Sequence, residues 1–324
     1  MKWIYGKQDW KTFERGQENC YLMTNGLGGY SSLTMTGSAA RNDHAFLMAC
    51  MKAPNNRYNM IHRLAEQLET GKEVYTLSSQ EFADRSCEEG YRYLTEFAYE
   101  DTPVWHFLIN GVEIEKEAAL KQNENTAVVC YRVTNRSRSG VSLTVTPFYQ
   151  FAPKGGEEEL NGTFRNLAGR VENGRLGLYY MTNGCVTEIP ETVEQYYYSY
   201  DACDGRKSTG KAAACHQISL NVESGGSGTL AVLFSVERDY AKGQDQSAVD
   251  AAESVIREMK SERKKLEIQS GLSDETARFL VKSANEFVSR RESTGGKTIL
   301  AGFPFFEDWG RDTMIALPGV CLST

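Results

Sequence analysis

The pattern of apolar and polar positions divides the chain into a long β-rich part and a shorter helical part. Between residues 60 and 236, short runs of β-forming residues alternate with polar turns. Val104–Ile109 and Val112–Lys116 flank Asn110-Gly111, which is a strong hairpin signal. Many strands with close turns and no helices between them indicate a large antiparallel β-sandwich. The further predicted strands are Thr126–Thr134, Val141–Phe151, Leu176–Thr182, Val193–Tyr200, His216–Val222 and Thr229–Val236.

A helical period replaces the β pattern at Ser247. Ser247-Ala-Val-Asp250 resembles a capping box, and the following helix is long enough to link two domains. A second helix is predicted from Asp274 to about Glu292, with Leu280, Ala284 and Phe287 on its inner face. The apolar stripe of the first helix, which Arg263 interrupts, consists of Val249, Ala252, Ile256, Met259 and Leu266.

Composition narrows the class of protein. The chain has 324 residues, 40% of them hydrophobic and 24% charged, which suggests two folded domains. A net charge of −7 argues against nucleic acid as a partner. The eight cysteines form no CxxC pair, so we predict reduced thiols, no metal site and no cofactor. The first residues lack a signal peptide and no membrane-length apolar run occurs, so we expect a soluble, cytoplasmic protein without a membrane partner.

The segment with the most distinctive chemistry runs from Ile299 to Gly319, and we call it the motif segment. It places phenylalanines and Trp309 beside Asp308, Arg311 and Asp312. Carboxylates and guanidinium groups bind sugar hydroxyls with charge-assisted hydrogen bonds, and an aromatic ring can cover a sugar face. The alternative is an ordinary loop in which Arg311 pairs with Asp308 or Asp312.

Three stretches carry a resemblance to a known family. GFPFFEDWGRDTMIALPG, residues 302–319, closely resembles the start of the catalytic domain in bacterial and archaeal glycogen-debranching enzymes of the amylo-α-1,6-glucosidase type. Tyr21–Tyr30, followed by Arg41 and His44, looks like the start of that family's N-terminal domain. Gly90–Leu94, followed by Pro103-Val-Trp105, supports it. A β-type run comes directly after Gly26-Leu-Gly-Gly29, so we predict a tight turn and a strand there instead of a phosphate-binding loop.

The resemblance implies a fold and an activity. It implies a mainly β chain, with an N-terminal β-sandwich (supersandwich) domain over residues 1–240, a linker helix over 247–270, and the first helix and motif loop of an (α/α)₆ barrel over 271–324. The implied reaction is hydrolysis of the α-1,6-linked glucose left at a trimmed branch point of glycogen or limit dextrin.

The resemblance also assigns roles residue by residue. Arg311 and Asp312 would bind hydroxyls of the terminal glucose, Trp309 would line its pocket, and Asp308 would support them. Arg41 and His44 are weaker candidates, because Asn42, Asp43 and Ala45 depart from the family pattern around them.

The chemistry of hydrolysis sets a further expectation. An inverting glycosidase needs two carboxyl groups roughly 6.5–9.5 Å apart, and Glu307 and Asp308 are adjacent. We therefore expect the general acid and base beyond Thr324, and this chain alone to be inactive. The apolar tail, which starts at Phe303, would then be disordered, fold back on the sandwich, or drive self-association. Alternatives are a glycan-binding or architectural β-sandwich module, or a disaccharide phosphorylase relative.

Overall fold

The computed structural model describes residues 2–71, 73–156, 160, 162–174, 176–242 and 246–322. The helices are α1 (Phe13–Gly16), α2 (Ser199–Cys203), α3 (Ala248–Gln269), α4 (Glu275–Asn285) and α5 (Gly310–Leu317), with a 3₁₀ turn at Gly90–Arg92 and a π-helical turn at Pro318–Leu322. The strands are β1 (Trp3–Gly6), β2 (Met23–Thr24), β3 (Tyr30–Ser32), β4 (Ala45–Lys52), β5 (Asn56–Thr70), β6 (Glu73–Thr76), β7 (Ser79–Glu81), β8 (Cys87–Glu89), β9 (Leu94–Tyr99), β10 (Pro103–Ile109), β11 (Val112–Leu120), β12 (Thr126–Asn135), β13 (Val141–Pro153), β14 (Arg165–Asn166), β15 (Arg170–Asn173), β16 (Leu176–Thr182), β17 (Cys185–Tyr197), β18 (Thr209–Val222), β19 (Ser227–Ser235), β20 (Val288–Arg291) and β21 (Gly296–Ile299).

Two large antiparallel sheets dominate the fold, which confirms a mainly β chain. Within the described residues, one sheet has nine strands in the order β1-β9-β10-β11-β12-β19-β16-β15-β14. The other has eight, in the order β17-β18-β13-β5-β4-β3-β2 with β6 beside β5. Two short hairpins, β7–β8 and β20–β21, complete the strands found there.

Side-chain contacts show that the two sheets face each other. Phe46 of β4 and Phe234 of β19 meet edge to face, with ring centroids 6.3 Å apart. The Tyr131 hydroxyl of β12 donates to the Glu66 carboxylate of β5 at 2.7 Å, and Lys116 of β11 pairs with the same carboxylate. These groups are buried, so the interior between the sheets contains a compensated ion pair as well as apolar side chains.

The predicted hairpin is confirmed. Ile109 pairs with Val112, and Asn110 and Gly111 have φ values of 47° and 83°, as a two-residue turn that matches the strand twist requires. The strands predicted at 126–134 and 141–151 are also confirmed, as β12 and β13. They belong to different sheets, so the polar turn between them takes the chain from one sheet to the other.

The strand predicted over Val193–Tyr200 is wrong at its C-terminal end. Strand β17 stops at Tyr197, and helix α2 begins at Ser199. The Asp201 carboxylate accepts from the Asn42 backbone amide at 2.6 Å and from Arg41 at 3.2 Å. These long-range partners stabilise a helical turn in a run of tyrosines that local propensity assigns to a strand.

Helix α3 begins where the capping pattern predicts. The Ser247 hydroxyl accepts from the Asp250 amide at 3.2 Å. The helix packs on the outer face of the nine-stranded sheet, where Lys260 pairs with Glu117 at 2.5 Å and Arg132 with Glu253 at 3.5 Å. Whether it also connects two domains stays a prediction. In the described part of the chain, no helix is both long and apolar enough to cross a membrane.

The predicted second helix is wrong in its C-terminal end and in one residue of its inner face, Leu280. Helix α4 stops at Asn285, and the residues assigned to its last turns form β20, which pairs with β21. Leu280 is 57% exposed, whereas Val281 and Lys282 are buried. The Lys282 ammonium lies 2.8 Å from Asp101 and 2.7 Å from Glu267. A buried charge with two carboxylate partners has replaced the apolar contact that the helical stripe suggests. The start of an (α/α)₆ barrel stays a prediction, and residues 323 and 324 of the predicted third segment lie outside the described residues.

Gly90 opens the third resemblance stretch and approaches the backbone of Leu77. A Cβ at Gly90 would lie 1.9 Å from the Leu77 carbonyl oxygen. We expect Gly90→Ala to lower the free energy of unfolding by about 1–3 kcal/mol through overpacking, as measured by urea unfolding. Gly6→Ala is the control, because a Cβ at Gly6 meets nothing within 4 Å. Equal midpoints for the two variants would contradict this reading of the motif.

Candidate functional site

The first half of the motif segment folds back on the sandwich. The Phe303 ring meets Tyr30 of β3 edge to face, with centroids 5.3 Å apart, and lies 6.0 Å from Phe287. Two of the three resemblance stretches therefore touch each other. Farther along, Met314 and Ile315 are 68% and 74% exposed. The apolar tail was predicted to be disordered, to fold back on the sandwich, or to drive self-association. The part around Phe303 folds back on the sandwich.

Phe305 lies between two guanidinium groups. Arg41 is centred 5.0 Å and Arg206 4.2 Å from the ring centroid. Arg41 also pairs with Asp204 at 2.6 Å and with Asp201 at 3.2 Å. Cation–π contacts of this kind stabilise an aromatic side chain on a charged surface. Arg41, one of the weaker sequence candidates, thus lies against the motif segment.

Cations of the sandwich also hold the backbone of the segment. The Arg57 guanidinium donates to the Phe306 carbonyl oxygen from both terminal nitrogens at 3.3 Å, and to the Pro304 carbonyl oxygen at 3.5 Å. The Lys154 ammonium donates to the Phe305 carbonyl oxygen at 3.3 Å. Three consecutive carbonyls therefore have charged donors, which make stronger hydrogen bonds than neutral ones.

Asp308 is the anchor at the centre of the segment. Its side chain is only 4% exposed. One carboxylate oxygen accepts from the Asn55 side-chain amide at 2.6 Å, and the other pairs with Arg291 of β20. Of the two pairings that the loop alternative offered for Arg311, the structure therefore contains the one with Asp312, at 3.8 Å, and not the one with Asp308.

Trp309, Arg311 and Asp312 are at the start of α5, and the side chain of each is partly exposed to solvent. Trp309 is 55% exposed. The side chains of Arg311 and Asp312 are 77% and 40% exposed, and their nearest charged atoms are 3.8 Å apart. Thr313 fixes this turn, because its amide donates to the Trp309 carbonyl at 2.8 Å and its hydroxyl to the Ile299 carbonyl at 3.1 Å. The start of α5 therefore presents an indole ring, a charged donor and a charged acceptor to solvent.

His44 has a different environment from Arg41. It is buried, its Nδ1 accepts from the Ala40 amide at 3.2 Å, and its Nε2 lies 3.7 Å from the Cys20 sulfur. Burial, together with the charge of Arg41, lowers the pKa of His44 to about 3. His44 is thus a neutral interior residue.

The Gly-rich turn joins the sandwich to the C-terminal hairpin. The Asn25 side-chain oxygen accepts from the amides of Leu27 and Gly29, each at 3.0 Å. The Gly26 carbonyl accepts from the Arg290 amide at 2.8 Å and from the Ser289 hydroxyl at 3.2 Å. A turn and a strand are found here, as predicted.

Sequence reasoning missed the residues that hold the motif segment in place. Asn55 lies in the turn Ala53-Pro-Asn-Asn56, and no motif in the sequence assigned a role to it, to Arg57 or to Arg291. A proline followed by an asparagine predicts a turn, but this pattern does not predict which residues the turn contacts. Among the described residues, no cluster of histidine, cysteine, aspartate or glutamate has the arrangement of a metal site.

Two family models match the chain. The glycogen debranching enzyme N-terminal model matches residues 19–229, and the amylo-alpha-1,6-glucosidase model matches residues 282–324. No curated protein matched.

Solved structures give distant likenesses. A candidate kojibiose phosphorylase from the human microbiome shares 8% identity over 93% of this chain and 43% of its own, with a TM-score of 0.49. A bacterial glucoamylase complexed with acarbose is 10% identical over 86% of this chain and 38% of its own length, with a TM-score of 0.35. A family 92 glycosyl hydrolase is 10% identical over 92% of this chain and 41% of its own length, with a TM-score of 0.33. The chain thus spans less than half the length of these proteins, and likenesses at this level add nothing to the family match.

Proposed function

Since the chain belongs to the glycogen debranching enzyme family, we propose that it forms part of a glycoside hydrolase that removes α-1,6-linked glucose from trimmed branch points. Its contribution to that reaction is the glucose-binding turn at Trp309, Arg311 and Asp312. The observation that supports this role is the solvent-facing grouping of these three side chains on a loop that the sandwich holds by charged contacts.

The chemistry of the turn fits a sugar better than an apolar ligand. An exposed indole can stack on the C–H face of a pyranose. Beside it, Arg311 donates hydrogen bonds and Asp312 accepts them, and the side chains of both are open to solvent. The weak pairing between the two, at 3.8 Å, leaves both free to contact sugar hydroxyls.

The catalytic pair is proposed to lie outside this chain. Asp308 is buried and its two oxygens are occupied by Asn55 and Arg291, so it is not available to protonate a leaving oxygen or to activate water. Glu307 is exposed, but one carboxylate does not supply both functions. The chain by itself is therefore expected to lack hydrolytic activity.

A glucose-release assay on a debranching-limit dextrin tests the catalytic part of the proposal. We expect the 324-residue chain to release no glucose, and a form continued through any catalytic sequence of the same gene to release it. Release by the short chain would place the catalytic pair within these residues, with Glu307 as the first residue to substitute.

A binding experiment tests the glucose-binding turn. We expect Arg311→Ala to weaken binding of maltotriose to the chain by about tenfold, because one charged hydrogen bond contributes roughly 1.5 kcal/mol. Isothermal titration calorimetry would measure it. Lys297→Ala is the control, since Lys297 is an exposed cation on the neighbouring hairpin. Equal affinities for both variants would contradict the assigned role.

A second candidate function is architectural. The contacts of Arg57, Lys154 and Asn55 with the motif segment favour it, because they give the sandwich a role in shaping a neighbouring loop without binding glycan. Two binding measurements test it. The architectural function predicts that this chain binds a separately produced catalytic half and does not bind maltotriose. The exposed Met314 and Ile315 are the surface proposed for that contact, or for self-association.

A further inference from the structure

The turn between β4 and β5 contacts both the β20–β21 hairpin and the motif segment. The Ala53 carbonyl accepts from the Glu292 amide at 3.3 Å. The Asn55 side-chain amide donates to the Asp308 carboxylate at 2.6 Å, and the Asn55 side-chain oxygen accepts from the Asp308 backbone amide at 3.4 Å. Asn55 thus contacts both the side chain and the main chain of one residue.

Asp308 depends on these contacts because its side chain is only 4% exposed. Removing a carboxylate from water is unfavourable unless charged or hydrogen-bonding partners replace the water. Its partners come from two separate segments, Asn55 from the sandwich and Arg291 from β20. The carboxylate therefore fixes the motif segment relative to both.

Asp308 directly precedes the N-cap of α5. Trp309, the next residue, is the N-cap of α5 but makes no side-chain capping bond. The first turn is held by Thr313, which donates to the Trp309 carbonyl, and by Asp308 on the preceding side. Arg311 and Asp312 lie within this turn, so their direction follows from the placement of Asp308 and Trp309.

We propose that Asn55 of the β-sandwich is a positioning residue for the glucose-binding turn, acting through Asp308. This inference rests on the proposed function of Trp309, Arg311 and Asp312. It makes the sandwich part of the substrate site although Asn55 itself touches no substrate. Pre-organisation of this kind lowers the ordering cost that a ligand has to overcome.

Hydrogen–deuterium exchange of the Thr313 amide, which donates to the Trp309 carbonyl and closes the first turn of α5, tests the structural step. We expect Asn55→Ala to speed exchange there at least tenfold, with the amides of the two large sheets unchanged. Asn56→Ala, at the exposed neighbouring residue, is the matched control and should exchange like the wild type. In the double variant Asn55→Asp with Asp308→Asn, the amide and carboxylate change places, and slow exchange should return. Wild-type exchange in Asn55→Ala would overturn the proposal.

Maltotriose binding by the same variants tests the consequence for the site. We expect Asn55→Ala to weaken binding at least fivefold, with recovery in the double variant. Suppose that the wild type binds maltotriose measurably and that Asn55→Ala speeds exchange but binds maltotriose as tightly as the wild type. The positioning role is then overturned. If the wild-type chain binds no maltotriose, the proposed glucose-binding function fails, and the exchange experiment still decides whether Asn55 orders the turn.

Discussion

The free energy of unfolding is expected to fall by roughly 2 kcal/mol per buried histidine between pH 7 and pH 5. Three of the four histidines, His44, His62 and His216, are buried. Burial lowers the pKa of His44 and His62 to about 3 and that of His216 to about 4, and the charges of Arg41 and Arg63 contribute at the first two. Together the three make acid sensitivity the largest effect predicted for this chain.

The surroundings of each ring explain why it stays neutral. His62 lies 3.2 Å from the Asn59 amide nitrogen and 3.0 Å from the Tyr198 hydroxyl. His216 stacks on Tyr180 with centroids 4.8 Å apart and has no carboxylate among its hydrogen-bond partners in the described part of the chain. A neutral imidazole fits such sites, whereas an imidazolium would be a buried charge without a counter-ion.

The direction of the effect depends on proton binding in the two states. A histidine in the unfolded chain has a pKa near 6.5 and takes up a proton as the pH falls below that value. The folded state takes up none until the pH approaches 3 or 4. Stability is therefore complete above about pH 6.5 and is lost as the pH falls, by up to about 1.4 kcal/mol per unit for each histidine. Burial raises the pKa of Asp201 and Glu237, which acts in the opposite direction at lower pH.

Urea unfolding between pH 7 and pH 5.5 measures this effect where the histidines dominate. We expect His62→Gln or His216→Gln to reduce the pH slope by about one third, whatever each does to stability at pH 7. His106→Gln is the control, because the side chain of His106 is 38% exposed. The explanation fails if all three variants keep the wild-type slope.

Local signals predicted those parts of the fold that local sequence determines. The turn at Asn110-Gly111 and the cap at Ser247 were correct, because each depends on the conformational preference of one or two residues and their immediate neighbours. The strand that ends at Tyr197 and the helix that ends at Asn285 were misplaced, because partners from distant segments decide both ends.

The interior charges mark the limit of pattern reasoning. The helical period places Arg263 on the apolar stripe of α3, where its charge argues against burial, and it places Lys282 off the predicted inner face of α4. Both are buried, and each has carboxylate partners far away in sequence. Composition cannot show which charges will be paired, because pairing depends on how the segments meet.

The candidate site shows the same division. The motif supplied Trp309, Arg311 and Asp312, which the structure groups at the start of one helix. It did not supply Asn55 or Arg57, since these belong to a turn and a strand about 250 residues earlier. Only the folded chain brings them to the motif segment.

The second large effect is expected at Glu286, where three segments meet. One carboxylate oxygen accepts from the amide and hydroxyl of Thr24, both at 2.8 Å, and the other pairs with Arg263. Glu286 and Arg263 are 6% exposed each. The carboxylate therefore connects the first resemblance stretch to α3 and to the end of α4. Removing one partner of a buried pair typically costs about 3–5 kcal/mol, because the other charge is left without compensation.

We expect Glu286→Gln to lower the free energy of unfolding by about 3 kcal/mol. The glutamine side-chain oxygen can still accept from Thr24, so the loss measures chiefly the weaker compensation of the Arg263 guanidinium, whose remaining carboxylate partner among the described residues is Asp101 at 3.6 Å. Arg263→Met combined with Glu286→Gln removes both charges and should recover most of the loss. Glu258→Gln, at an exposed position of α3, should change stability by less than about 0.5 kcal/mol. If the double variant is as unstable as Glu286→Gln, the carboxylate stabilises the junction through Thr24 instead of through Arg263.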